Sequence, residues 1–335
     1  MSEQPITILG GGSMGTALGK MLGDTGIPVR LWVYEPELVA EINSKRENTL
    51  FLPGSPLPAA LFATGSMAEA LSGAGLVISA MPAQVVRRVW TAAAPHLAPG
   101  AVVVSASKGI EVGSAKIMSE VLAEVLDPRA RLAFLSGPSF AKEVAAGQPT
   151  AVVVASTSAE VGALVQKTMF GPNFRVYTTD DVVGVELGGA LKNVIAIAVG
   201  AAEGLGLGHN ARAALITRGL AEISRLAVVC GANPLTLAGL AGVGDLVLTC
   251  TGHLSRNLQV GIRLGRGERL ADIVGGMRMV AEGVETSRSA KALADGRGVE
   301  MPITDVVVGI IDGALAPADA VRELMSRRMR SERER

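Results

Sequence analysis

The chain has 335 residues, 49% apolar and 19% charged, which allows about two domains around large cores and excludes a disordered chain. Lysine plus arginine balance aspartate plus glutamate at 31 each, and the zero formal charge argues against a nucleic-acid partner. The only cysteines are Cys230 and Cys250, so no disulfide framework is implied and a reducing cytoplasm fits.

The first predicted element is a strand, Ile6-Thr7-Ile8-Leu9, running into Gly10-Gly11-Gly12-Ser13-Met14-Gly15 and then a helix-forming stretch. Glycines at G-x-G-x-x-G spacing between a strand and a helix form the dinucleotide fingerprint. Gly10 would permit the tight turn, Gly12 a close backbone approach to a pyrophosphate, and Gly15 close helix–strand packing. The helix N-terminus would offer free N–H groups to the phosphates. The glycines alone also fit an ordinary tight turn. A second feature favours the nucleotide: the next strand, 29–33, leads into Tyr34-Glu35, and Glu35 follows Gly15 by 20 residues, where an acid binds the ribose hydroxyls.

Strand and helix patterns then alternate: helix 37–44, a Pro/Gly-rich loop over 52–58, helix 66–71, strand 76–80, helix 83–93, strand 101–105, helix 114–126, then strands 132–136 and 149–155. Near-continuous apolar strands with helices between them predict a parallel, doubly wound α/β sheet covered on both faces. Beyond 178–184 strand patterns vanish, and helices are predicted over 186–204, 210–230, 234–241, 256–263, 270–274, 285–295, 303–312 and 316–329. The expected organisation is a Rossmann-type domain over 1–184, an all-α domain over 185–326 and a charged tail over 327–335. The residues before the first strand lack a basic region, and apolar stretches are broken by Gly, Lys or Pro short of about 18 residues. Neither a signal peptide nor stable membrane insertion is expected.

Open α/β sheets bind ligands beyond the carboxyl ends of their strands. Three loops fall there: 79–83, 105–110 with Lys108, and 136–143 with Ser139. Lys108 is either a ligand contact or a surface lysine, and Ser139 either a ligand donor or a helix N-cap. In the helical half, Lys192 interrupts an apolar, glycine-rich helix. Burial lowers a lysine's pKa and would make it an acid/base candidate, unless it snorkels to the surface. Asp245, among glycines and apolar residues, needs a cationic partner, and Lys192 is the natural one. Ser255-Arg256-Asn257 opens a helix and suits an anion such as a phosphate.

The motifs ILGGGSMGTALG, ASKGIE, SGPSFAKEVAAGQPT, ELGGALKNVIAIAVGAAEGLGLGHNARAALITRGLAE, GVGDLVLTCTGHLSRN and VAEGVET occur in this order. Through them the chain resembles the bacterial NAD(P)-dependent glycerol-3-phosphate dehydrogenase family, over residues 5–315. The resemblance implies reversible reduction of dihydroxyacetone phosphate to sn-glycerol 3-phosphate with NAD or NADP, feeding glycerophospholipid synthesis. It implies cofactor contacts at Ser13, Met14, Tyr34, Lys108, Ala141, Arg256, Val280 and Glu282, beside the fingerprint residues Gly10, Gly12, Gly15 and Glu35. Substrate contacts are implied at Lys108, Gly137, Ser139, Lys192, Asp245, Ser255, Arg256 and Asn257, with Lys192 as proton donor and acceptor, tuned by Asp245. Lys108 would polarise the carbonyl or hold the hydroxyls.

Two positions depart from the family pattern: Met14 replaces a frequent aromatic residue, and Tyr34 a frequent Arg or His. A cation at Tyr34's position would favour a 2′-phosphate, so its absence beside Glu35 favours NAD. No metal is expected, since His96, His209 and His253 are not at ligand spacing. A homodimer is compatible with the apolar helical half. Two other readings share the plan: a dehydrogenase of another hydroxy acid, and a non-catalytic nicotinamide sensor. The 255–257 helix start argues against the first, and the retained Lys108, Lys192 and Asp245 against the second.

Overall fold

A computed structural model describes residues 4–277, 280–328 and 331. Of the predicted tail, Arg327, Arg328 and Ser331 are described and the rest lies outside the described residues, as do the first three residues of the chain. The chain divides into two compact units, Met1–Lys108 with Met118–Val185, and Gly109–Ile117 with Glu186–Arg335.

The first unit is built on one eight-stranded sheet in the order β3-β2-β1-β4-β5-β6-β7-β8. Its strands are β1 (Ile6–Leu9), β2 (Val29–Trp32), β3 (Leu61–Thr64), β4 (Leu76–Ser79), β5 (Val102–Ser105), β6 (Arg131–Ser136), β7 (Thr150–Ala155) and β8 (Phe174–Thr179). Its helices are α1 (Ser13–Asp24), α2 (Pro36–Lys45), α3 (Met67–Leu71), α4 (Val86–Ala93), α5 (Met118–Val125), α6 (Ala141–Ala145) and α7 (Ala159–Met169). The central strands β1, β4 and β5 are buried at every residue, as strands covered on both faces must be. Their register places Leu9 opposite Ser79 and Ser79 opposite Ser105. The loops that begin at Gly10, Ala80 and Ala106 therefore leave the sheet along one carboxyl edge.

The sheet is not wholly parallel: β7 runs antiparallel to β6, with Leu135 opposite Val154. A parallel return needs a connection that travels back along the strand. Here α6 has five residues, about 7.5 Å long, against about 20 Å for the six-residue β6. The chain turns and comes straight back. The edge strands β3 and β8 and the helix α7 go beyond the sequence expectation. In β8, Phe174 and Val176 are buried and Arg175 and Tyr177 exposed, an alternation typical of an edge strand rather than a buried run.

The second unit holds helices α8 (Val182–Gly204), α9 (His209–Val229), α10 (Pro234–Leu237), α11 (Asp245–Thr251), α12 (Arg256–Gly265), α13 (Leu270–Gly275), α14 (Glu282–Arg297), α15 (Pro302–Ile311) and α16 (Pro317–Ser326), with a π-helical turn, Leu240–Gly244, leading into α11. Every residue of α8 from 187 to 202 is buried, which makes it the core helix. The stretches Val182–Gly204 and Pro234–Thr251 are long and apolar enough to cross a bilayer by length and composition, contrary to the expectation of shorter apolar runs. In α8, 83% of that window is buried inside the protein. Glycine pairs bring α12 against it. A Cβ on Gly200 would lie 2.2 Å from the Leu258 carbonyl oxygen, and one on Gly261 2.2 Å from that of Ile197. Any larger residue there would force the helices apart.

Glu222 on α9 is 3% exposed and accepts hydrogen bonds from the Ile303 (2.6 Å) and Thr304 (3.3 Å) amides, closing the N-terminus of α15. Burial pushes its carboxyl up to about 7, against the opposing pull of those two N–H groups. The folded protein therefore binds this proton more tightly than the unfolded chain. The resulting stabilisation is fully present below the ordinary value of 4.5 and is lost as pH rises toward about 7. In urea unfolding, the wild type should lose on the order of 3 kcal/mol across this window relative to Glu222→Gln, which keeps an acceptor but no proton. Parallel pH dependences of the two proteins would contradict this.

Candidate active site

In the first unit, Gly10 ends β1 with φ +124°, and a Cβ there would sit 2.5 Å from the Ala80 carbonyl oxygen. Gly15 is packed more tightly: its Cβ would fall 1.9 Å from the Gly10 oxygen, so α1 presses on the turn. Gly12 differs, with nothing within 4 Å of its Cβ position. It is also the N-cap of the twelve-residue α1, with no side-chain cap. Open space beside an uncapped helix start is what a dinucleotide pyrophosphate requires, so the residues present fit the cofactor.

Around this turn, the Ser13 hydroxyl donates to the Phe51 carbonyl at 2.7 Å, and Met14 packs on the apolar core. Tyr34 is 72% exposed, edge-on to Trp32. Glu35 is the N-cap residue of α2 but makes no side-chain cap bond. Arg30, the nearest cation in sequence, donates to the Glu69 and Ser72 carbonyls.

Lys108, Gly137 and Ser139 converge at one point. The Lys108 Nζ and the Ser139 hydroxyl both donate to the Gly137 carbonyl, at 3.2 and 2.9 Å. Gly137 has φ +129° and lies close against Val152. Ser139 is not an N-cap, since Phe140 holds that position, without a cap bond. Its hydroxyl is turned to Gly137 instead. Ala141 is the first residue of α6, packed on the core. The Ser107 hydroxyl donates to the Met81 carbonyl at 2.7 Å, tying two edge loops together.

In the second unit, Lys192 on α8 and Asp245 at the start of α11 form a buried pair, Nζ to Oδ1 2.5 Å, with exposures of 7% and 1%. Lys192 does not snorkel to the surface. A carboxylate at this distance favours the ammonium, opposing the desolvation that burial imposes. One turn further, Cys250 is buried beside the pair, and burial pushes its thiol up to about 12, so it is no nucleophile near neutral pH.

Ser255 caps α12, its Oγ accepting from the Leu258 amide at 3.2 Å. Arg256 is exposed and donates to the Val280 carbonyl at 2.9 Å, which brings two predicted residues together. Asn257 is buried, and its Oδ1 accepts from the Gly283 amide at 3.0 Å. This bond fixes the amide orientation, with Oδ1 as the acceptor and Nδ2 as the donor. A Cβ on Gly283 would lie 2.7 Å from Asn257 Oδ1 and 2.8 Å from the Asn193 oxygen, so the start of α14 is wedged between α8 and α12. Glu282 is the first residue of that helix. Sequence reasoning missed Gly283 as a contact and Thr249, whose hydroxyl donates to the Asp245 carbonyl at 2.7 Å. The spacing of Thr249 four residues after Asp245 on one helix was the available signal.

The matched family models are the N-terminus of NAD-dependent glycerol-3-phosphate dehydrogenase over residues 5–162 and its C-terminus over 181–322. The chain is 55% identical to a glycerol-3-phosphate dehydrogenase [NAD(P)+] of Geobacter metallireducens, covering 98% of this chain and 99% of that one. It is 56% identical to the same-named protein of Koribacter versatilis, covering 96% and 97%. The crystal structure of glycerol-3-phosphate dehydrogenase from Coxiella burnetii superposes with a TM-score of 0.94 at 41% identity, covering 97% of this chain and 99% of that one.

The energetics of the buried pair can be tested directly. Asp245→Asn leaves the Lys192 charge buried without its counter-ion and should lower unfolding stability by about 3 kcal/mol at neutral pH. A change below about 0.5 kcal/mol, the size of a surface substitution, would show that the pair carries no such constraint.

Proposed function

The chain belongs to the NAD-dependent glycerol-3-phosphate dehydrogenase family and is an NAD(P)-dependent oxidoreductase acting on glycerol 3-phosphate; from that premise we propose that Lys192 is its proton donor and acceptor. The observation that carries the reading is the buried Lys192–Asp245 pair, an ammonium held 2.5 Å from a carboxylate in an apolar helix core.

The nicotinamide, when bound, supplies the hydride in reduction or takes it in oxidation. As the ketone of dihydroxyacetone phosphate becomes an alkoxide, Lys192 as ammonium gives its oxygen a proton. In the reverse direction the amine takes that proton from the secondary hydroxyl. Asp245 orients Nζ and keeps the ammonium available. Arg256, the Asn257 Nδ2 donor and the amides at the start of α12 hold the phosphate, fixing where the carbon chain lies. Lys108, with Ser139 beside the Gly137 carbonyl, holds the hydroxyls or polarises the carbonyl. Gly10, Gly12, Gly15 and Ser13 receive the pyrophosphate, with Met14, Ala141, Val280 and Glu282 as further cofactor contacts. In this reading, residues 1–184 form the dinucleotide-binding domain, apart from the segment 109–117 that groups with the second unit, and 185–326 the catalytic domain.

Cofactor preference follows from charge. A 2′-phosphate beside Tyr34 and Glu35 meets a carboxylate, with no cation at either of these two positions, and the Arg30 guanidinium is bound to two carbonyls. NAD is thus used at least as well as NADP. The product serves glycerophospholipid synthesis in the cytoplasm, where the thiols of Cys230 and Cys250, neither of them in a disulfide, stay reduced. Exposed apolar side chains such as Leu235 (77%) and Val229 (52%) support a homodimer, which sedimentation would detect.

Lys192→Ala should lower kcat for NADH oxidation with dihydroxyacetone phosphate by about 10²–10⁴ and leave NADH affinity unchanged. Turnover within about tenfold of wild type would remove Lys192 from proton transfer. Measured side by side, kcat/KM for NADH should equal or exceed that for NADPH. A preference for NADPH of about tenfold or more would overturn the charge argument.

A further inference from the structure

Asn48 lies between α2 and β3, outside the catalytic and cofactor sets described above. It is 0% exposed, and a buried amide must pair its polar atoms. Its Nδ2 donates to the Gly11 carbonyl and to the Thr16 hydroxyl, both at 2.8 Å. The Thr16 hydroxyl in turn donates to the same Gly11 carbonyl at 3.2 Å. At its other atom, Asn48 Oδ1 accepts from the Phe51 amide at 3.0 Å. These partners fix the amide orientation, because a reversed one would set oxygen against the Gly11 carbonyl and N–H against N–H. The Ser13 hydroxyl donates to the Phe51 carbonyl at 2.7 Å. The turn 48–51 is thus strapped to the glycine turn at two points, Asn48 on Gly11 and Phe51 on Ser13.

The bonds of α1 begin with the Thr16 amide donating to the Gly12 carbonyl, so the Gly11 carbonyl lies one residue outside the helix. Gly11 is buried, and Asn48 and Thr16 supply the donors that its carbonyl needs. Its backbone is also pressed on the end of β2, since a Cβ on Gly11 would lie 2.8 Å from a Val33 methyl. A trans peptide carries its C=O and N–H on opposite sides. With the Gly11 carbonyl anchored inward on Asn48, the Gly12 N–H of the same peptide is turned the other way. Gly12 is the residue of this turn that has open space beside it.

We propose that Asn48 is a positioning residue for the dinucleotide: its Nδ2 bonds to Gly11 and Thr16 set the Gly11–Gly12 peptide plane and so aim the Gly12 N–H at the pyrophosphate. This role rests on the reading that the pyrophosphate sits at Gly12. Asn48 itself touches neither cofactor nor substrate and acts only through the backbone, with Thr16 as the second member of the device.

Two ligands test this on the full-length protein: NADH, followed by its fluorescence, and ADP-ribose, which carries the pyrophosphate without nicotinamide, followed by calorimetry. Asn48→Leu keeps the size of the side chain and removes its donors. It should weaken both ligands alike by about tenfold or more, the weight of one hydrogen bond to a charged group. KM for NADH should rise by a similar factor, while kcat at saturating NADH and dihydroxyacetone phosphate stays within about threefold of wild type. A residue that only held the fold together would lower kcat or the folded fraction and would not produce this split. Thr16→Val removes the hydroxyl that Asn48 and Gly11 share. It should weaken both ligands about threefold or more, and it carries the test should Asn48→Leu fail to fold. Gly12→Val, at a backbone φ of −71° that accepts valine, fills the open space and should weaken both ligands at least about tenfold.

Unchanged affinity in folded Asn48→Leu, or in Thr16→Val where Asn48→Leu does not fold, overturns the role of Asn48. So does a loss that falls on kcat with KM for NADH unchanged, and so does weaker binding of NADH with ADP-ribose unaffected. If Gly12→Val binds both ligands as the wild type does, the pyrophosphate is not at this turn, and that reading falls together with the role of Asn48. If Gly12→Val weakens both ligands and Asn48→Leu neither, the pyrophosphate stays at the turn and Asn48 alone is removed from its positioning.

Discussion

A lysine ammonium cannot be buried in an apolar helix unless a carboxylate is delivered to it, and the second unit is arranged around that requirement. Lys192 lies near the middle of α8, the most buried helix, and Asp245 is brought to 2.5 Å. The delivery depends on glycine. A Cβ on Gly188 would lie 2.6 Å from the Ala241 carbonyl oxygen, and one on Gly242 1.9 Å from that of Leu237. The backbone therefore doubles back tightly against α8 and passes through a π-helical turn directly before Asp245. Such turns are irregular backbone that often marks functional sites. The burial that makes the pair costly also excludes water from it, which strengthens the attraction between the two charges.

The same helix sets the distance between the Lys192–Asp245 pair and the start of α12. Gly200 and Gly204 on α8 meet Gly261 and Gly265 on α12 with backbones in contact, so Lys192 and the Ser255-Arg256-Asn257 helix start are parts of one rigid frame. Gly283 completes it by donating to Asn257 and leaving no space beside Asn193. In the proposed function, a substrate held at its phosphate presents its oxygen to a lysine that does not need to move, the kind of positioning that accounts for much of enzymatic acceleration. In the first unit the corresponding rigidity comes from the in-register carboxyl ends of β1, β4 and β5.

Much of this was legible in the sequence because it rests on strong local signals. The β1–glycine–α1 turn, the helix start at Ser255-Arg256-Asn257 and the pairing of Lys192 with Asp245 each follow from residues whose chemistry admits few solutions. What escaped depends on tertiary context. The strands β3 and β8 lie at sheet edges, where partial exposure dilutes the apolar run. The antiparallel direction of β7 is decided by the shortness of α6, whose ends no sequence pattern announces. Ser139 could cap a helix or meet a ligand, and only the fold shows that Phe140 takes the cap position instead. Glu222 reads as an ordinary polar position on an amphipathic helix until α15 is seen to begin on it.

The most direct test of the central claim is the pH dependence of kcat for dihydroxyacetone phosphate reduction, compared between the wild type and Lys192→Met. If Lys192 is the acid, wild-type turnover falls at high pH as its proton is lost, and the residual rate of the variant lacks that limb. A variant that keeps the wild-type alkaline limb, or turns over near the wild-type rate, would contradict the account.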